Sequence, residues 1–521
     1  MFLLFYYVIL FLVIEMNDIP VFVGVNEPSV PHELSGDKIE MDNMQSCRIP
    51  SLITQGDTII AACDNANCGA DWGFIEIAVR WSSDNGKTFD KLKTVFTPPA
   101  RIAPKKDEEY TSAFAIDPVM VESADGAIVM IFDFYPECKG LHKAELLEKS
   151  NGYTVVNGKS FRKLYDSDGN ICTVRNDCFV YDSEGNKTNF YLPDKHNPEY
   201  AYQTIGDMYY TEGDGEFIGR YSPLIPDNKN DKYVGNIYLK RTGHEKFPAE
   251  KNYSEDSLYE CLETSAAPFT APVTSYLFVM KSYDKGITWS QPVDITSQIK
   301  TDSDDPFLGV GPGVGLRLDN GRLLIPVYSV GTAFVIYSDD NGDTWQRTDF
   351  CENLDECQLV QYSDGTIGCF GRPEKAGNIV YSVSCDNGIS WKRMHTELYT
   401  SKCQHSVILV PKNIYTADMD MNKDYILCSR PTGHRGKDET RTDGYIAVGE
   451  VQSDYSIKWI SEKKIKNDLC YEISEKWADF FAYSCMSVLP DNSIGILYEA
   501  FPSGYIAFNK FSVESIMKGD I

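Results

Sequence analysis

The chain has 521 residues, 42% of them hydrophobic, so it can bury a large core and is not globally disordered. Its 49 basic and 76 acidic residues give a formal net charge of −27. That field excludes a nucleic-acid binder, which needs a basic face, and a surface held by electrostatics to anionic lipid.

Residues 1–14, MFLLFYYVILFLVI, form an unbroken apolar run. The run is too short for a comfortable membrane span and has the length of a signal-peptide core. Residues 1–15 are therefore expected to be a signal peptide or an N-terminal hydrophobic anchor, which makes the protein secreted or cell-surface. No later segment approaches a transmembrane run. The 15 cysteines allow some disulfide pairing in that compartment, and Cys63–Cys68 or Cys172–Cys178 are close enough for local bridges. None forms a CxxC pair with histidine partners, so no zinc site is expected. Asn186-Lys-Thr188 and Asn252-Tyr-Ser254 are glycosylation sequons.

One motif occurs four times, beginning at Ser82, Ser282, Ser338 and Ser384. Its pattern is S-x-D-x-G-x-[TS]-[WF], and each copy follows a strand-like run such as IEIAVRW or SYLFVMK. The pattern predicts a hairpin turn. The Asp caps backbone N–H groups, the Gly takes a positive φ, and the aromatic packs inward as the chain returns. The last three copies start 56 and 46 residues apart, the size of a four-stranded propeller blade. The first two start 200 residues apart, so an insertion separates them. Residues 137–265 are the candidate, with short aromatic strands punctuated by Asn-Gly, Asp-Gly and Glu-Gly turns. Without them and the first 15 residues, roughly 375 residues remain, enough for about six blades. Helices are few, and the best candidates are KAELLEKSN (143–151) and SVESIMKGD (512–520).

These four turns resemble the Asp boxes of the sialidase (neuraminidase) superfamily, which some non-catalytic propellers also carry. The segment Cys47-Arg48-Ile49-Pro50 resembles the aromatic-R-I-P motif of exo-α-sialidases. ADWGFIEIAVRWSSDNGKTF, FLGVGPGVGLRL with GRLLIPVYS, and FAYSCMSVLPDNSIGILYE are similar to large secreted bacterial-type sialidases. The resemblance covers nearly the whole chain outside the insertion. It implies an all-β fold, a six-bladed β-propeller formed by residues 16–136 and 266–521, with an irregular β-rich insertion domain at 137–265. It implies a glycoside hydrolase releasing terminal α-linked sialic acid from glycoproteins, glycolipids and oligosaccharides. No cofactor or metal is implied, and the protein is expected to be a monomer with sialylated glycans as partners.

The resemblance also implies site residues. Sialic acid carries a carboxylate, and guanidinium is the best fork for it. The matching arginines are Arg48, Arg372 in Cys369-Phe-Gly-Arg372, and Arg441, with Arg435 as a rival for the third. Most glycosidases use two carboxylates, but sialidases use a tyrosine nucleophile. A neutral phenol activated by a base is not repelled by the substrate's carboxylate. Tyr483 is the matching nucleophile and Glu356 its base. Asp355 is the adjacent rival, expected to face the other way if the pair lies on a strand. Asp71 matches the acid/base, with Asp64 as its alternative. Glu499 matches the carboxylate that orients Arg48, Asp117 a substrate contact, and Tyr328 a tyrosine on the floor of the site. The chain departs from the family by lacking an arginine after Asp64, and by Cys47 where an aromatic usually stands. The arginines are expected to form a locally positive pocket in a negative protein. Alternatives within the resemblance are a trans-sialidase or intramolecular trans-sialidase, and a non-catalytic sialic-acid-binding surface protein.

Overall fold

The structure is a computed structural model. It describes residues 18–24, 46–66, 71, 73–98, 114–135, 149–191, 207–210, 232–236, 269–272, 274–329, 332–348, 351–352, 355–434, 440–467, 479–502 and 504–519. Residues 1–15, Cys68, Asn252 and Arg435 lie outside this set, as do residues 143–148 of the first expected helix. Among the described residues the chain is nearly all β, as its alternating apolar runs require. No helix in that set is long and apolar enough to cross a membrane.

The strands group into six four-stranded antiparallel blades. Blade one is Ser46–Gln55, Thr58–Ala66, Ile75–Ser82 and Lys93–Phe96. Blade two is Phe114–Glu122, Ile128–Tyr135, Tyr276–Ser282 and Val293–Asp294. Blade three is built on Leu323–Ser329 and Thr332–Ser338, with short flanking strands at Gly309–Val310 and Gln346–Arg347. Blade four is Cys357–Gln361, Ile367–Gly371, Val380–Ser384 and Lys392–Met394. Blade five is Ser406–Leu409, Tyr425–Pro431, Gly444–Val451 and Ile457–Lys464. In blade six, Ala482–Val488, Ile494–Phe501 and Tyr505–Phe511 are completed by the N-terminal strand Ile19–Val23. The ring is thus closed by pairing the two ends of the chain, which leaves no long edge between the first and last blades. Asp18 reinforces the closure by accepting hydrogen bonds from Tyr498 (3.0 Å) and Asn509 (2.6 Å).

The Asp boxes join the third and fourth strands of blades one to four. In each, the Asp accepts the backbone N–H and hydroxyl of the Thr or Ser four residues on, at 2.8–2.9 Å and 2.5–2.6 Å. The glycines Gly86, Gly286, Gly342 and Gly388 all have φ between +80° and +88°. They also let adjacent blades touch. A Cβ on Gly86 would lie 2.4 Å from the Phe508 ring of blade six, and one on Gly342 would lie 3.2 Å from Val129 of blade two. The 200-residue gap between the first two boxes arises because a separate sheet, of eight strands among the described residues from Tyr153 to Thr270, is spliced between the second and third strands of blade two. Its first hairpin is tied to blade two by Arg162, which donates to Asp294 at 2.9 Å, and by Tyr153, which donates to the same carboxylate. Cys172, a member of one pair close enough in sequence for a local bridge, is a buried free thiol on a strand of this sheet. Of the two expected helices, Val513–Lys518 forms, with Ser512 as its N-cap accepting from Ser515 N–H.

Gly86→Ala should cost about 2–4 kcal/mol, combining left-handed strain with overpacking against Phe508. Gly126→Ala, at φ +83° in open space, should cost only about 1 kcal/mol. Urea unfolding of the two variants checks this, and equal losses would contradict the inter-blade role of the box.

Candidate active site

The first strands of the blades surround the propeller axis, and three of them carry a bulge where they approach one end of it. In blade one the register slips between Arg48 and Ser51, so Ile49 and Pro50 together oppose Cys63. In blade two it slips between Ile116 and Val119, so Asp117 and Pro118 oppose Phe132. In blade six it slips at Tyr483, between Ala482 and Ser484. Ile49, Asp117 and Tyr483 have φ of +55°, +64° and +31°. A non-glycine residue there costs about 1–2 kcal/mol, which the surroundings must override. Bulges re-aim side chains, and proline tolerates a bulge because it has no ladder N–H to lose.

The bulges turn their neighbours into one cavity of about 530 Å³, and all nine expected site residues line it. Tyr483 donates its phenol to Glu356 Oε1 at 2.8 Å. Arg372 Nη1 donates to the other oxygen of Glu356 at 2.6 Å and to the phenol oxygen at 3.2 Å. Burial, then the charge of Glu356, holds the Tyr483 phenol well above its ordinary value, so it rests protonated. Arg48 and Arg441 lie 5.7 and 5.2 Å from the Tyr483 ring centroid. Glu499, buried on the second strand of blade six, accepts from Ile49 N–H at 3.0 Å and faces Arg48 Nε at 3.3 Å. It thereby fixes the blade-one bulge and the guanidinium together.

Asp71 pairs with Arg48 and keeps its side chain 53% exposed at the cavity. Its rival Asp64 is only 2% exposed and accepts the N–H of Asp117 at 3.1 Å, a structural bond that supports the blade-two bulge. Tyr328 donates to Asp117 at 3.3 Å. Burial holds Asp64 and Asp117 above the carboxylate range, reinforced for Asp64 by Asp117 and for Asp117 by Glu356 and Asp71. The expectation that Asp355 and Glu356 face opposite ways is not met. Both precede the strand that starts at Cys357, so the alternation of a strand does not apply, and both turn to Arg372. Asp355 approaches Arg372 Nε at 3.7 Å and accepts the N–H of Glu356 at 2.9 Å.

The positive charge is more local than expected. Five carboxylates (Asp71, Asp117, Asp355, Glu356 and Glu499) share the cavity wall with the three arginines. Arg48 and Arg372 are each paired, whereas Arg441 makes no ion pair among the described residues. Phe307, Ile116, Phe480 and Pro502 give the wall an apolar side that sequence reading did not single out. The bulges were also missed, although Pro50 and Pro118 inside strand-like runs signal them.

Residues 263–422 match the BNR repeat-like domain family. The anhydrosialidase of Macrobdella decora is 28% identical over 504 residues, covering 90% of this chain and 60% of that protein. Sialidase B of Streptococcus pneumoniae is 25% identical over 490 residues, covering 88% of this chain and 62% of that protein. Over most of its length the chain is thus similar to proteins that are named as sialidases. It spans about three-fifths of the length of these two relatives. The leech intramolecular trans-sialidase, solved with 2,7-anhydro-Neu5Ac prepared by soaking with 3'-sialyllactose, aligns with a TM-score of 0.70 at 24% identity. That alignment covers 97% of this chain and 71% of the leech chain, and it establishes a shared sialidase propeller fold.

Asp355 gives this site a measurable signature. Burial and the charge of Glu356, against the pull of Arg372, push its carboxyl up to about 6. A carboxyl raised on folding adds stability below its unfolded value near 4, and that stability is lost as pH rises through 6. Asp355→Asn removes the penalty, so its stability relative to the parent should rise by up to about 3 kcal/mol between pH 4 and pH 7. Urea unfolding at both pH values checks this, and parallel pH dependences would contradict it.

Proposed function

We propose that the chain is an exo-α-sialidase that cleaves terminal α-linked sialic acid from glycoproteins, glycolipids and oligosaccharides with net retention. The observation that carries this reading is the contact of a protonated, buried phenol with a carboxylate, beneath guanidinium groups. Arg48, Arg372 and Arg441 clamp the sugar's carboxylate. Glu356 takes the phenol proton as Tyr483 Oη bonds to the anomeric carbon. The glycosidic C–O bond breaks, its electron pair goes to the departing oxygen, and Asp71 supplies that oxygen with a proton. In the second half Asp71 takes a proton from water, which displaces the sugar from Tyr483, and the phenolate recovers its proton from Glu356. Two inversions at one carbon give retention. Asp117 contacts the substrate near its acetamido and glycerol side, and Tyr328 contacts it from the floor of the pocket. The partners are sialylated glycans, met outside the cell by a secreted or cell-surface monomer.

A second reading concerns the second half alone. The similarity to an anhydrosialidase, over 90% of the chain, supports an intramolecular acceptor in place of water. A hydroxyl of the bound sugar would then attack the anomeric carbon as its bond to Tyr483 breaks, pass its proton to Asp71, and leave a 2,7-anhydro product.

Tyr483→Phe and Asp71→Ala should each lower kcat on a fluorogenic sialoside by at least about a thousandfold. Near-parental activity in both would overturn the assignment. Mass analysis of products from a sialyllactose separates the fates, because the anhydro sugar is one water lighter than free sialic acid.

A further inference from the structure

The bulge that presents Tyr483 is held by blade five through side chains. In a regular strand, successive backbone N–H groups point to opposite edges. Here the N–H groups of Tyr483 and Ser484 both point to blade five. Tyr483 N–H donates to Cys403 Sγ at 3.4 Å, and Ser484 N–H donates to Gln404 Oε1 at 2.9 Å. The Gln404 amide turns back to donate to Ser484 O at 3.1 Å and to Pro312 O at 3.2 Å. One step further, Met486 N–H donates to Ser406 Oγ at 2.9 Å. The inner edge of blade six therefore docks on a row of side chains from residues 403–406 in place of a backbone ladder.

The first two members of that row are buried to 0% and 1% exposure. Neither reaches the cavity wall. Burial pushes the Cys403 thiol up, so it meets the Tyr483 N–H as a neutral acceptor. Blade six alone does not specify the left-handed backbone at Tyr483, since the extra residue drops out of the ladder with Ile494–Phe501. We propose that Cys403 and Gln404 are positioning residues for the reaction, locking the bulged backbone of Tyr483 so that its phenol stays on Glu356.

This inference rests on Tyr483 being the nucleophile. It predicts a loss in the chemical step with substrate binding retained, because neither residue lines the cavity. Displacing a reacting atom by a fraction of an ångström lowers the rate of bond formation steeply. Cys403→Ala and Gln404→Met should each lower kcat on a fluorogenic sialoside by at least about tenfold, with KM within about twofold of the parent. Cys403→Ser restores an acceptor of similar shape and should recover kcat to within about threefold. Unchanged kcat in both Cys403→Ala and Gln404→Met overturns the proposal, as does a Cys403→Ser variant no better than Cys403→Ala. A parent protein that does not turn over the sialoside overturns the functional reading instead.

Discussion

The hydrogen bond from Tyr483 to Glu356 is the contact around which the rest of the site is arranged. A phenol is a poor nucleophile while protonated, and burial beside a carboxylate keeps it protonated. It becomes useful only when the carboxylate takes its proton as bond formation begins. In the proposed reaction Glu356 is the group that takes this proton, and Arg372 holds its second oxygen. Arg372 in turn is flanked by Asp355, which also holds the backbone N–H of Glu356. The geometry is thus a closed set of mutual supports rather than a single well-placed side chain.

Backbone strain supplies the aim. Each of the three bulged inner strands places one left-handed residue at the mouth of the propeller axis. Arg48, Asp117 and Tyr483 reach a common cavity because their strands depart locally from regular pairing. Glu499 and Asp64 accept the backbone N–H groups of the left-handed residues Ile49 and Asp117, offsetting part of that cost. The net charge of −27 plays no steering part in this scheme. In the proposed function, attraction for an anionic sugar falls to the three arginines around the tyrosine ring, of which Arg441 alone makes no ion pair among the described residues.

Much of this was legible in the sequence because it is written in local rules. The Asp box encodes its turn through one aspartate, one hydroxyl and one glycine, all within a single hairpin. Three of the four copies stand at blade spacing, which points to a propeller, and the anomalous 200-residue gap reveals the spliced sheet. That Arg48, Glu356 and Tyr483 would gather around one cavity was legible through their resemblance to family motifs. What was not legible is what depends on neighbours distant in sequence. The joint turn of Asp355 and Glu356 toward Arg372 follows from where a strand starts. The bulge at Tyr483 carries no proline, unlike those at Ile49 and Asp117, so nothing local announces it. The docking of residues 403–406 against 483–486 is a contact across 80 residues, with no pattern in either segment to predict it.

A covalent sugar on Tyr483 is the central claim, and trapping it is the most direct measurement. A fluorinated sialosyl fluoride forms the glycosyl–enzyme bond but slows its breakdown, so the adduct can be seen by intact mass and located by peptide mapping. The account predicts one sialyl group per chain, carried by Tyr483 and displaced by an added acceptor with return of activity. Labelling at a carboxylate, or turnover with no label on Tyr483, would contradict it.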